Sequence, residues 1–200
     1  MNQGHLKQKQ KQHVDFHRKI LLRKNLLHTR QGVFYIPFIG DGDIAFELYR
    51  DTEIHGADID PVRTAAAKKR LFGNIIAADC DNWPFPGVDA VFDVADFDAY
   101  SEPYKSFRAF WEEANKANKM TLFFTDGHKQ GLMRTGHWHQ PDGSKEHLEN
   151  VNDRRKVFNF YFPKHIFPWF ADYVKPYKVI KKQFYLRGMM LYWGAVIKNV

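Results

Sequence analysis

The turn "IPFIGDGDIA", residues 36–45, places Gly40 and Gly42 between an apolar run and a helix-like one. Glycines there let the backbone bend tightly and a ligand come close. The strand-to-helix turn after a first strand is also where open parallel sheets bind ligands. The G-x-G-x-x-A spacing matches a dinucleotide fingerprint as well, and charge separates the two readings. A pyrophosphate would meet Asp41 and Asp43 at close range, whereas a ligand carrying sulfonium and ammonium groups would be attracted to them. Asp43 fits a helix N-cap equally well. Asp58 ends the next apolar run, where a carboxylate can accept two ribose hydroxyls. Asp79 ends the one after, in "AADCDNWPF", where it can accept from an adenine amino group while the backbone N–H of Cys80 serves a ring nitrogen. Any one of these acids could be an ordinary turn residue; three of them after three successive strands point to a site.

A fourth apolar run leads into "DVADFDAYSEPY", residues 93–104. Asp93, Asp96 and Asp98 stand there beside Tyr100, Pro103 and Tyr104. A strand that only had to pack would end in a turn without so many carboxylates and rings.

The elements that must position these residues alternate. "GVFYIPFI", "EIHGADI", "NIIAAD", "VDAVFDVAD" and "KMTLFFTD" read as five strands. Between them lie the helix-like "IAFELYR", "DPVRTAAAKKRLF" with Asp60 as N-cap and Pro61 at its first position, and "PYKSFRAFWEEANKAN" opened by Pro103. Alternation of this kind predicts a parallel sheet covered on both faces. Residues 127–157 are polar and histidine-rich and read as a long loop with some helix. "HIFPWFADYV" reads as a helix interrupted by Pro168, and "YKVIKKQFYLR" and "MLYWGAVIK" as an antiparallel hairpin at the sheet edge.

Charge is unevenly placed. Residues 1–31 hold eight Lys/Arg against one acid, Asp15, and the remainder is balanced at 22 basic and 22 acidic residues. Residues 14–28 read as a basic helix, and a basic arm on a neutral body suits an approach to polyphosphate, or is a solvated tail. The single cysteine excludes an internal disulfide. The longest apolar run is too short to span a bilayer. The expectation is a soluble, cytoplasmic protein with no membrane partner.

With these residues in view, the chain resembles the Rossmann-like S-adenosylmethionine-dependent methyltransferases over roughly residues 32–126. "PFIGDG" is similar to the P-F-x-G-x-G turn of base-amino methyltransferases and departs at Ile36, where an acid commonly stands. "DVADFDAYSEP" resembles the D-x-x-D-x-D-P-F-G-S-P run of the dimethylguanosine tRNA methyltransferases. Asp93, Asp96, Asp98 and Pro103 match, Tyr100 stands for the aromatic residue, and Ala99, Ser101 and Glu102 depart. "TLFFTDG" resembles that family's T-D element at Thr125 and Asp126.

The resemblance implies a doubly wound, mostly parallel seven-stranded α/β sheet with a C-terminal antiparallel hairpin. It would form a methyltransferase domain over 32–200 behind the basic segment 1–31. It implies S-adenosylmethionine held by Phe38, Gly40, Asp41, Gly42, Asp58, Ile59, Asp79 and Cys80, with Asp96 directed at the ammonium of its amino-acid end. The implied acceptor is an exocyclic amine of a nucleic-acid base. Asp98 would localise that amine's lone pair by accepting its N–H bonds, and Tyr100 would stack on the base, with Tyr104 as second candidate. Lys19, Arg23 and Arg30 would contact the nucleic acid. A small-molecule or protein acceptor, a nucleotide-dependent oxidoreductase and a non-catalytic nucleic-acid-binding module stay open. His128, His137, His139 and His147 share a polar stretch without metal-ligand spacing, so no metal is expected and a substrate-facing loop is.

Overall fold

The computed structural model describes residues 15–99 and 101–200. Its centre is a seven-stranded sheet in the order β3-β2-β1-β4-β5-β9-β8. The strands are β1 (Val33–Pro37), β2 (Glu53–Asp58), β3 (Gly73–Ala77), β4 (Val91–Phe97), β5 (Asn115–Asp126), β8 (Lys178–Arg187) and β9 (Met190–Lys198). Neighbours from β3 to β5 pair in parallel, and β9 runs antiparallel between β5 and β8. The hairpin therefore inserts its second strand next to β5 and leaves β8 as the edge.

Period-two alternation sends side chains to two cores. On one face Tyr35, Phe92, Phe97 and Phe124 pack with Phe107, Phe110, Phe170 and Trp193. These meet α4 (Tyr104–Glu113) and α7 (Phe167–Tyr173). On the other face Phe34, Ile36, Ile54, Val94 and Phe123 meet Leu22, Leu26, Tyr49 and Ala67. Those come from α1 (Phe16–Leu26), α2 (Asp43–Tyr49) and α3 (Pro61–Lys68). As expected, α3 is opened by Asp60, whose side chain accepts from the N–H groups of Val62 and Arg63 ahead of Pro61.

Three local readings are corrected. The helix expected over 103–118 ends at Glu113, and β5 begins at Asn115. Sheet pairing of Asn115 with Val91 and of Lys116 with Phe92 outweighs the helical propensity of "EANKAN". The Lys116 ammonium meanwhile takes up the freed carbonyls of Trp111 and Ala114. The expected long loop with some helix does hold two helices, α5 (Lys129–Thr135) and α6 (Val151–Asn159), and between them an unexpected two-stranded ribbon of β6 (His137–His139) and β7 (Lys145–His147). Pro168 does not interrupt a helix. It lies in the first turn of α7, just past a π-helical turn over Tyr161–Ile166. A residue without an N–H is tolerated there. Among the described residues no helix is long and apolar enough to cross a membrane.

Candidate functional site

The strand order reverses between β1 and β4, so their carboxyl ends splay apart into a crevice. The turn after β1 forms one wall. Phe38, Gly40 and Gly42 all have positive φ, at 58°, 54° and 78°. A Cβ on Gly42 would come within 2.9 Å of Leu71 and 3.2 Å of the Ala67 methyl, so glycine lets α3 pack directly behind the turn. Asp58, at the end of β2, accepts from the N–H groups of Gly40 (2.9 Å) and Asp60 (3.0 Å). The half-exposed Arg63 reaches across, 4.0 Å from Asp58 and 3.9 Å from Asp41. Asp43 is the first residue of α2 and pairs with Arg70 at 2.6 Å, so it is not the cap.

The end of β4 forms the other wall, and α1 lies over it. Arg23 donates two bonds of 2.6 Å to the two oxygens of Asp96, and the Tyr49 hydroxyl adds a third at 3.0 Å. Arg23 and Asp96 are each 1% exposed. Burial opposes the Arg23 charge, but Asp96 more than offsets it and holds the guanidinium above its ordinary pKa.

Two residues on, Asp98 accepts from the Lys19 ammonium at 2.7 and 3.0 Å and from the Thr125 hydroxyl. Burial would raise this carboxyl; Lys19, Arg23 and the hydroxyl keep it below its ordinary value. The helix is also fastened at both ends. Asp15 meets Arg187 and accepts from the Tyr192 hydroxyl, while His28 bonds Thr121.

A single cleft of about 620 Å³ joins the walls. It runs from Phe38, Ile39, Asp41 and Asp58 past Ile36 and Ala99 to Asp98, Thr125, Lys19 and Tyr192. That size suits a small-molecule site.

Several expected roles are corrected by this geometry. Lys19 and Arg23 turn inward to the carboxylates rather than outward to phosphate. Asp96 borders the cleft, but at 1% exposure its carboxylate is already paired with Arg23 and bonded by Tyr49, so a ligand's ammonium meets a neutralised acid there. Tyr104 is fully buried, with its hydroxyl on Asp126 at 2.7 Å, and reaches no substrate. Asp93 lies at the far end of β4, where it accepts from the Val33 N–H. Asp79 and Cys80 do not line the cleft. Asp79 binds the Asp81 N–H and the Asn82 amide, and the buried Cys80 sulfur accepts from the Phe38 N–H. Ile59 is 76% exposed beside Asp58, and Arg30 faces solvent. Tyr100 lies outside the described residues.

Tyr49, Arg63 and Tyr192 belong to the site but carried no sequence signal. Tyr49 sits within an apolar helix pattern, and Tyr192 in a strand far along the chain. The histidines pair as His128–His139 and His137–His147, with ring centroids 5.0 and 4.6 Å apart. Among the described residues they form no group of three or more potential metal ligands.

No family model matches the chain, and no curated protein matches it in sequence. Solved structures do match its fold. The plantazolicin methyltransferase BpumL, in complex with a pentazolic desmethylPZN analog and SAH, has a TM-score of 0.57 at 11% identity. That match covers 98% of this chain and 90% of the other. Magnesium protoporphyrin IX methyltransferase ChlM from Synechocystis PCC 6803, with bound SAH, has a TM-score of 0.54 at 9% identity over 92% and 81%. The [4+2]-cyclase SpnF has a TM-score of 0.51 at 14% identity over 92% and 81%. At these identities the likeness is one of architecture, and the cyclase among them is a reminder that this architecture serves more than one chemistry. The chain has the mixed seven-stranded α/β fold shared by these proteins.

Proposed function

We propose that the protein is an S-adenosylmethionine-dependent methyltransferase acting on an amino nitrogen, with an exocyclic amine of a nucleic-acid base as acceptor. The observation that carries this reading is the continuity of the cleft. A glycine turn with the Asp58 carboxylate at one end opens onto the Asp98 carboxylate at the other.

The residues present fit the methyl donor. Each Asp58 oxygen spends one lone pair on a backbone N–H and keeps another for a ribose hydroxyl. Arg63 is long and half-exposed, so its head can leave that position. Phe38 and Ile59 offer apolar surface for a purine, and Asp41 offers a carboxylate. When bound, the donor supplies a methyl group on a positively charged sulfur. Asp98 then acts on the acceptor: its ionised carboxyl, held by Thr125, accepts an amine N–H and orients the nitrogen lone pair. Exposed Arg18, Lys24 and Arg30 support a polyanionic partner. A small-molecule or protein acceptor is the second reading, and it is favoured by the inward pairing of Lys19 and Arg23.

Calorimetric titration tests the donor. S-adenosylmethionine binds and NAD and NADP do not, and Asp58→Ala weakens binding by about 1–3 kcal/mol, the scale of lost charge-assisted hydrogen bonds. Binding of a nicotinamide dinucleotide with no response to S-adenosylmethionine would discard the reading. Transfer of labelled methyl to tRNA or DNA separates the two acceptor classes.

A further inference from the structure

The cleft already holds a primary amine, and it belongs to the chain. Lys19 extends a four-carbon stem from α1 and sets its ammonium on both oxygens of Asp98, at 2.7 and 3.0 Å. The Thr125 hydroxyl bonds the same carboxylate, and the Tyr192 ring centroid lies 5.5 Å from the ammonium. A carboxylate, a hydroxyl that fixes it and an aromatic face are the groups that hold an alkylammonium ion.

Arg23, one turn along, differs in kind. It is sealed against Asp96 at 1% exposure, reaches Asp98 only at 3.7 Å, and serves as a fixed part of the core. The Lys19–Asp98 pair borders open cleft, with side chains 15% and 18% exposed, at the crevice between β1 and β4. A flexible stem in a partly open site can withdraw and leave a shaped space behind.

We propose that the Asp98 end of the cleft is a binding site for primary alkylammonium groups, and that Lys19 occupies it as an internal competitor. This goes beyond the base-amine reading, because the ligand class is a charged alkylamine and its binding needs no methyl donor. Any acceptor amine that uses Asp98 must first displace Lys19.

Lys19→Ala empties the stem's space while keeping a good helix former in α1. Titrated with n-butylammonium chloride, the variant shows saturable heat and a rise in Tm that potassium chloride at equal concentration does not give. Both signals are lost in Lys19→Ala with Asp98→Asn, and wild type shows neither. Should the alanine variant fold poorly, Lys19→Met refills the stem, leaves Asp98 open and takes methylammonium instead. The proposal is overturned if neither variant binds its amine, if binding survives Asp98→Asn, or if wild type binds as tightly as the variant. These outcomes are independent of S-adenosylmethionine titration of the wild-type protein, so the two readings fall separately.

Discussion

Asp96 and Asp126 end neighbouring strands, and both carboxyl groups are shut away from water, at 1% and 0% exposure. One lies against a guanidinium and the other against a phenol. On the α1 face Arg23 meets Asp96 with two parallel bonds, and Lys19 meets Asp98. On the α4 face Asp126 accepts from the Tyr104 hydroxyl at 2.7 Å and from the His128 backbone N–H at 2.8 Å. Among the described residues it makes no ion pair, although its charge acts on the buried Lys129 from a distance. Burial pushes the Asp126 carboxyl above its ordinary value, and those hydrogen bonds only partly oppose it. The same residue type is thus held in ion pairs on one face and pressed toward the neutral acid on the other. The difference lies in which helix covers each strand end, and only the α1 side opens onto the cleft.

The largest expected effect breaks the charged side. Arg23→Ala leaves the Asp96 carboxylate buried with Tyr49 alone, and loss of one partner of a buried pair costs about 3–5 kcal/mol. Denaturant unfolding measures it. Replacing both partners, Arg23→Met with Asp96→Leu, costs less than the single change, because no charge is left stranded. A single variant no worse than the double would mean that water reaches Asp96, against its burial.

The neutral side should yield less. Asp126→Asn keeps an oxygen for the His128 N–H, turns its amide N–H to the Tyr104 hydroxyl oxygen and removes a charge the site already disfavours, so the cost is about 1 kcal/mol by the same unfolding measurement. A loss as large as that of Arg23→Ala would show that Asp126 functions as an anion, and the contrast between the faces would collapse.

The pH dependence sharpens the same contrast, with opposite signs. The Asp98 pKa is lowered from 3.8, so its stabilisation is present above that value and is lost as pH falls through the folded value. The Asp126 pKa is raised from 3.8, so its contribution is full below that value and is lost as pH rises through the folded one. Melting curves followed from acid to neutral pH should therefore respond differently to the two asparagine variants. Asp98→Asn removes part of the acid-side loss, and Asp126→Asn removes part of the loss on the way to neutral. Slopes that change the same way in both would refute the assignment.

Much of this arrangement was legible in the sequence. The alternation of apolar runs with helix signals gave the strands, and the acids at their ends marked the crevice between Gly40, Asp58 and Asp98. Local chemistry decides such features, as with Asp60 capping α3. What stayed hidden was long-range pairing. Lys19 and Arg23 read as exposed cations because nothing local shows that α1 folds back over Asp98 and Asp96, 79 and 73 residues away. Tyr104 read as a ring for a substrate because its partner, Asp126, comes from the end of β5, 22 residues away. The start of β5 at Asn115 was missed for the same reason: sheet pairing, not propensity, decides it.

The smallest effect belongs to the next residue along α1. Lys24 follows Arg23 in sequence but points outward, half-exposed, with its ammonium 3.7 Å from Glu47. An exposed pair at that separation is screened by water and salt, so Lys24→Ala should shift stability by no more than about 0.5 kcal/mol. If α1 presents this outer face to nucleic acid, the same change reduces the salt slope of binding by about one, because one fewer phosphate is neutralised. Unfolding and salt-dependent binding are therefore to be measured on one pair of variants. Arg23→Ala should register in the first, and Lys24→Ala in the second alone. A Lys24→Ala protein with an unchanged salt slope would count against a nucleic-acid contact at this position and favour the small-molecule or protein acceptor. A Lys24→Ala protein that lost several kcal/mol would instead mean that α1 is held by its outer face as well as its inner one. The division of labour between these two adjacent cations would then be wrong.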